Sequence, residues 1–149
     1  MANELNAAIQ KLKDTVRTVS GVQKAYLGIL ANAAGTKPNQ ATASLLLSDG
    51  GPEDETLTAF TGKHTVDIML YWGIDETNQS QMESVELSLA TMWDRLATKF
   101  HGDDADRNLS ETCTYAMAER YTTGFDVVDN KLHRVMTVPF EIFIDTHEV

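Results

Sequence analysis

The chain has 149 residues, of which 42% are apolar and 23% are charged. These values predict a folded protein with a single domain over residues 1–149 and exclude an intrinsically disordered chain. Twelve Lys and Arg residues against twenty-two Asp and Glu residues give a net charge of −10. So acidic a surface disfavours direct binding to nucleic acid or to an anionic membrane.

Two further features of the sequence concern its location. It has no apolar run of the ~20 residues that a membrane-spanning helix needs, and its N-terminal residues lack the pattern of a secretory signal. Cys113 is the single cysteine, which excludes an internal disulfide and fits a reducing compartment.

The first predicted element is an amphipathic helix that stops at Ser20-Gly21, where glycine favours the left-handed turn that ends many helices. Strands are predicted over Val22–Leu30 and Ala41–Leu47, and the segment between them, Ala31–Gln40, reads as a loop because it carries Gly, Pro and two Asn. The apolar residues of the helix recur at spacings of four and three, typical of one buried face: Leu5, Ile9, Leu12, Val16 and Val19.

The middle of the chain predicts a break and then a strong strand. Asp49-Gly50-Gly51-Pro52 and the acidic triplet after it predict that Ser48–Glu55 is a solvated loop. Thr56–Phe60 is a weak candidate for a brief strand. Lys63–Trp72 is predicted as a strand, since apolar residues alternate along it with Thr65, Asp67, Met69 and Tyr71: Val66, Ile68, Leu70 and Trp72.

A second helix is predicted over Ser80–Phe100. Ser80 and Glu83 match the S-x-x-E capping box, in which two side chains satisfy backbone donors at the helix start. The stripe that this helix would bury has spacings of three and four: Met82, Val85, Leu89, Met92, Leu96 and Phe100. An acidic loop, Gly102–Asn108, is expected to follow.

Two long strands are predicted in the last third, Thr112–Thr123 and His133–Ile144, with a hairpin turn within Phe125–Lys131. Pro139 lacks a backbone donor, so its strand is expected to lie at an edge or to bulge there. The resulting order, α-β-β-(β)-β-α-β-β, predicts an α+β fold in which two helices pack on one face of a mostly antiparallel sheet.

The sequence predicts no catalytic residues, no cofactor and no metal site. Asp104, Asp106 and Asn108 begin like a calcium-binding EF-hand loop, but Leu109 and Tyr115 occupy the positions that need Gly and Glu. The four histidines show no metal-binding spacing, and no nucleophile or phosphate-loop motif is present.

Asp67 stands alone as a carboxylate within a predicted strand. If its face is buried, its charge needs a partner such as Arg120 or Arg134; otherwise that face is solvated or meets another subunit. One alternative function follows: a small dimeric ligand-binding or regulatory protein whose pocket between helix and sheet uses His64, Asp67 and Arg134.

Large side chains on the predicted sheet favour association with other proteins. A sheet face rich in Tyr, Met and Trp is either an ordinary core or an interface, since both use the same residue types. The candidate interface residues are Tyr71, Trp72, Tyr115 and Tyr121.

The order of segments resembles a known family, the tail terminator (tail completion, or head-tail joining neck) proteins of long-tailed bacteriophages. An amphipathic helix ends at Val19–Val22 and a strand, Gln23–Leu27, follows. The alternating strand Thr65–Trp72 and the second helix, Ser80–Phe100, lead to a terminal hairpin that closes on Val138–Ile144. The resemblance covers essentially the whole chain and rests on element order and length.

The resemblance implies a non-enzymatic subunit of a ring, typically of six copies, in the neck of the virion tail. That ring would stop polymerisation of the tail tube protein, offer a surface to the head-connector or head-closure protein, and assemble in the host cytoplasm. DNA would pass through its channel without specific binding. From the net charge we expect acidic loops to face that channel and repel DNA: Asp54, Glu55, Asp103 and Asp104.

Overall fold

The structure of the protein is a computed structural model. It describes residues 5–33, 35–55, 59–102, 109, 113, 115–118 and 120–147. The predicted acidic loop with Asp103 and Asp104 lies outside these ranges, and so do residues 56–58 of the predicted brief strand. Two helices and six strands are present in the described part of the chain: α1 (Leu5–Arg17), β1 (Val22–Leu27), β2 (Ala41–Glu55), β3 (Ala59–Gly73), α2 (Gln79–Gly102), β4 (Tyr115–Ala118), β5 (Thr122–Val128) and β6 (Lys131–His147).

The fold is α+β, as predicted. The strands form one sheet in the order β1-β2-β3-β6-β4, and β5 pairs with β6 on the same side as β4. Every described pairing is antiparallel except that of β1 with β2, which is parallel. Parallel neighbours need a connection of about a dozen residues or more, because the chain must return along the sheet before the next strand begins. The crossover loop, residues 28–40, is long for this reason.

One face of the sheet, here called the helix face, carries Val66, Ile68, Leu70 and Trp72 of β3, and both helices contribute to the core formed on it. The ring centroids of Phe100 in α2 and Phe140 in β6 lie 4.5 Å apart in an edge-on contact. The predicted alternation is confirmed, since the apolar face of β6 is also buried: Met136, Val138, Phe140, Ile142 and Ile144. The helix stripes are confirmed at Leu12, Val16, Val85, Leu89, Met92, Leu96 and Phe100.

The first helix ends at Arg17, three residues before the predicted stop at Ser20-Gly21, and Gly21 lies in the turn that follows. Gly21 has a φ of +96°, a conformation that side chains with a Cβ rarely adopt. The backbone carbonyl of Gly21 accepts a hydrogen bond from the amide of Ala41 at 2.7 Å. The turn after α1 is thereby tied to the start of β2.

The predicted loop Ser48–Glu55 is wrong, because β2 runs on through Glu55. Gly50 pairs with His64, and Pro52 pairs with Gly62, on β3. Irregularities in register between Leu47 and Asp49, and again between Pro52 and Asp54, accommodate residues that ordinarily end a strand. The acidic residues Asp54 and Glu55 therefore lie on a strand.

The predicted strand Thr112–Thr123 is also wrong, since its described part contributes to two strands. β4 ends at Ala118 and β5 begins at Thr122, and both pair with β6. The hairpin turn is confirmed in a shorter form. Asp129 and Asn130 have φ values of +52° and +62°, as in the two-residue turns that join antiparallel strands tightly. Residues 125–128, predicted as turn, extend β5.

Pro139 does not lie on an edge strand or at a bulge. It pairs with Asp67 of β3, and the other side of β6 is paired with β5 up to Thr137 and with β4 from Phe140. Pro139 therefore lies where the neighbouring strand changes. A residue without an N–H is tolerated there because that side has no continuous ladder.

The second helix is confirmed, but its predicted cap is two residues too late. Asn78 is the capping residue, since its side-chain Oδ1 accepts a hydrogen bond from the amide of Gln81 at 3.1 Å. The side chain of Gln81 in turn accepts a hydrogen bond from the amide of Asp75 at 2.6 Å. Asn caps helices as well as Ser does, and here the asparagine before Ser80 has that role.

Candidate interaction surfaces

The predicted interface residues do not form one surface. Trp72 is 1% exposed within the core on the helix face. The other side of the sheet is here called the open face, and β3 contributes Thr65, Asp67, Met69 and Tyr71 to it. Tyr71 is also buried. An interface role does not fit Trp72, because its own chain covers it.

Tyr121 and Tyr115 lie near the edge of the sheet that β4 and β5 form, away from β1. Tyr121 is half exposed, and its ring lies 5.2 Å from that of Trp93 in α2. Tyr115 lies in β4, opposite Phe143 of β6. Of the four candidates, Tyr121 is therefore the one with a described, solvent-exposed aromatic ring.

The three polar residues expected to line a ligand pocket do not converge. His64 and Arg134 lie on the helix face, whereas Asp67 lies on the open face. The β6 partner of His64 is Ile142, eight residues from Arg134, a span of about 27 Å along a strand. This geometry does not support a shared pocket.

Arg134, one of the two partners considered for Asp67 if its face were buried, pairs with a different residue. Its guanidinium donates two hydrogen bonds to the carboxylate of Glu86 in α2, at 2.9 and 2.7 Å, and one to the carbonyl of Gly124 at 2.9 Å. The Arg134 hydrogen bonds lower the pKa of Glu86. The guanidinium also lies 4.7 Å from the centre of the Phe125 ring. Arg134 thus ties β5 to α2 instead of pairing with Asp67.

His133 is fully buried at the end of the open face, where the crossover loop packs on the sheet. Its Nδ1 donates to the carbonyl of Lys131 at 2.8 Å, and its Nε2 lies 3.0 Å from the hydroxyl of Thr36. Burial lowers the pKa of His133 because the charged ring loses water, and nearby Lys131 also lowers it, while the Lys131 carbonyl and Asp126 oppose these effects.

Cys113 is 3% exposed, and burial raises the pKa of its thiol to about 12. At neutral pH it is therefore a protonated, apolar group rather than a nucleophile. Within the described ranges, no three His, Cys, Asp or Glu side chains lie close enough together to hold a metal ion. Nor does any helix of the described chain have the length and hydrophobicity to cross a membrane.

The two outer edges of the sheet carry exposed apolar side chains. At the β1 edge these are Tyr26, Leu27 and Ile29, with 44%, 47% and 77% of their surface exposed. At the β5 edge they are Phe125 and Val127, with 62% and 61% exposed. The sequence analysis predicted neither group. Phe125 and Val127 were placed in a turn, and no local sequence pattern shows that a strand lies at the edge of a sheet.

A cavity of about 320 Å³ lies beside the β1 edge, between that strand and the crossover loop. Its lining includes Lys24, Tyr26, Leu27, Ile29 and Thr42. The lining residues of β1 are thus continuous with the exposed apolar residues of the same edge.

Comparison with known proteins gives a structural likeness and no match in sequence. No protein-family model and no curated protein matches the chain. Among solved structures, the chain is similar to a component of the virion of a native gene transfer agent particle, with a TM-score of 0.46 and 12% sequence identity. The likeness covers 95% of this chain and 93% of that one.

Proposed function

We propose that this chain is a structural subunit of a phage tail that forms a ring at the head-proximal end of the tail tube. The ring terminates polymerisation of the tail tube protein and joins the tail to the head connector. The observation that carries this proposal is the order of elements: a first helix, three strands of one sheet, a second helix, a short strand and a terminal hairpin. The resemblance to tail terminator proteins rests on that order.

Ring formation suits the shape of the sheet. A sheet with two different outer edges offers two different surfaces to its neighbours. Contacts between unlike surfaces close into rings when the rotation between subunits allows it, and a closed ring leaves no free end. The apolar residues at both edges are the groups that such contacts bury.

The acidic residues Asp54, Glu55, Asp103 and Asp104 are proposed to face the channel of the ring, where they repel DNA and let it pass. The support for this placement is the net charge of −10. Replacing all four with Asn or Gln is expected to slow DNA ejection and reduce infectivity. Unchanged DNA passage and infectivity would count against the placement and leave the ring proposal standing.

The first test is the absolute mass of the purified chain, by light scattering after size exclusion, over a concentration series. A closed oligomer, six copies above all, is the expected result. A dimer that does not change over the series contradicts the ring.

A second test concerns the place of the chain in the particle. In cells that produce particles with this gene deleted, tails of uncontrolled length are expected, because nothing stops the tube. Electron microscopy measures the length distribution, and antibody labelling of intact particles should mark the neck. Tails of normal length joined to heads would overturn the proposed function.

A further inference from the structure

We propose that this chain binds a second copy of itself head to tail, with the outer edge of β1 in one copy against the outer edge of β5 in the next. This inference rests on the proposed function, because it names the contact through which the ring would close. It also predicts the pairs of residues that meet.

The two edges lie at opposite ends of one sheet, so a copy that uses both can contact two neighbours at once. An edge strand exposes unpaired backbone donors and acceptors, and proteins ordinarily protect such edges. Here both edges instead carry exposed apolar side chains beside them: Tyr26, Leu27 and Ile29 at one, Phe125 and Val127 at the other.

The side chains at the two edges match face by face. Ala25 and Leu27 of β1 share the helix face with Ala43 and Leu45 of β2. Phe125 of β5 is on the helix face too, opposite Arg134. A sheet continued from one copy to the next therefore brings apolar side chains of both edges together on the same face.

The open face supplies a charge pair. Lys24 lies on the open face of β1, opposite Thr42 of β2, and Asp126 lies on the open face of β5, opposite His133. Both are exposed, and none of the ion pairs found among the described residues involves either of them. A contact between unlike edges therefore pairs a cation with an anion.

The same two residues disfavour symmetric contacts. If two β1 edges met, Lys24 would approach Lys24, and if two β5 edges met, Asp126 would approach Asp126. Like charges across an interface act against the wrong pairing, whereas opposite charges favour the right one. The charges thus select the head-to-tail arrangement over a two-fold dimer.

Strand direction gives the register. β1 runs parallel to β2, and each later step across the sheet to β5 is antiparallel. If the next copy continues the sheet in the same orientation, its β5 is therefore antiparallel to β1 of the first copy. The register that pairs Lys24 with Asp126 places Tyr26 opposite Gly124, where a Cβ would meet no heavy atom within 4 Å. The Tyr26 ring fits over this open position.

The test uses two charge reversals, Lys24→Glu and Asp126→Lys. Each variant alone places like charges at every contact, and we expect its dissociation constant for self-association to rise by about 100-fold. An equimolar mixture of the two variants is expected to assemble, because in a ring where they alternate every contact again joins a carboxylate to an ammonium group. The double variant should assemble by itself. Light scattering after size exclusion measures all four samples.

Two control reversals, Arg17→Glu in α1 and Asp94→Lys in α2, change net charge by the same amounts at exposed positions on the helices, outside both edge strands. They should leave the oligomer intact. Circular dichroism establishes that each variant is folded, so a loss of assembly is not a loss of structure.

The outcomes separate this inference from the proposed function. A wild-type oligomer that survives both single reversals overturns the edge contact and leaves the ring standing. A mixture that fails to assemble while each variant is folded also overturns it. A contact of only about 4 kcal/mol is half formed at about 1 mM. A wild-type chain that stays monomeric up to that concentration therefore overturns the edge contact. In that case the proposed function is still tested by the length distribution of tails made without this gene.

Discussion

The two faces of the sheet are covered in different ways. On the helix face, α1 and α2 pack apolar side chains against the strands, and the Phe100–Phe140 contact lies within that core. On the open face, the crossover loop covers one end through polar contacts: His133 with Thr36, the Lys131 ammonium with the Thr36 carbonyl, and the Gly73 amide with the Lys37 carbonyl.

The difference separates global stability from local order. Apolar burial is non-directional and roughly proportional to area, so the helix face provides most of the free energy of folding. Polar contacts need partners at defined positions, and the loss of one leaves a buried group unsatisfied. Substitutions on the helix face should therefore lower the stability of the whole fold, whereas those under the crossover loop should also free that loop locally.

The largest effect is expected for Phe140→Ala. Removing a buried ring that contacts Phe100 leaves a cavity, and such changes cost about 3–5 kcal/mol in the free energy of unfolding. Urea denaturation measures the loss. Phe125→Ala is the matched control, since that ring is mostly exposed, and it should cost less than half as much. Equal losses would contradict the contrast between core and edge.

A smaller effect is expected for Thr36→Val, which keeps the shape of the side chain and removes its hydroxyl. Nε2 of His133 then has no partner at a buried position, and the Ala33 carbonyl loses the hydrogen bond that the Thr36 hydroxyl donates to it at 2.8 Å. Leaving buried groups unsatisfied costs about 1–3 kcal/mol. Hydrogen exchange at the Gly73 amide, which donates to the Lys37 carbonyl at 3.1 Å, should speed up. Thr122→Val, at an exposed site on β5, is the control. Exchange that is unchanged in Thr36→Val would show that the hydroxyl does not hold the loop.

Gly50→Ala tests the helix face beyond the core, where β2 and β3 pair far from the crossover loop. A Cβ at Gly50 would lie 2.5 Å from Nδ1 of His64, so the ring must move, at an expected cost of about 1 kcal/mol. Gly51→Ala is the control, because a Cβ there meets nothing within 4 Å. Thermal unfolding compares the two. If His64→Ala does not rescue Gly50→Ala, the contact with the ring is not the cause.

The smallest effect is expected from pH. His133 has a lowered pKa in the folded chain, so below the ordinary value of about 6.5 the unfolded chain binds a proton that the folded chain does not. Stability should therefore fall as the pH drops through that value. The effect is small because Nε2, once protonated, donates to the Thr36 hydroxyl, and the loop keeps a hydrogen bond.

His133→Gln should remove this pH dependence, and denaturation curves at pH 7.5 and 5.5 for both proteins measure it. Any pH dependence that remains in the variant comes from other groups. An equal slope in both proteins would contradict the role given to His133.

Much of the fold was predictable because local patterns carry it. The period-two alternation over Val66–Trp72 and the three-four spacing from Val85 to Phe100 predicted a strand and a helix, and both buried the expected residues. The β2 extension was not predictable, since Gly50, Gly51 and Pro52 ordinarily end strands. There the pairing with β3, a contact between distant residues, prevailed over local preference.

The candidate surfaces were less predictable than the fold. Aromatic residues as a class favoured an interface, yet Trp72 lies in the core and Phe125, placed in a turn, lies exposed on an edge. Whether a side chain is buried or exposed depends on which strands are neighbours, and a single sequence does not contain that order.

The sequence alone thus determined the class of the fold, the faces that its helices and central strands bury, and the net charge, because each depends on composition or on spacing along the chain. Tertiary structure decided which strands lie at the edges, that the crossover loop is held by His133, and that Arg134 pairs with Glu86. Those features depend on contacts between residues far apart in sequence, whose geometry exists only once the sheet has formed.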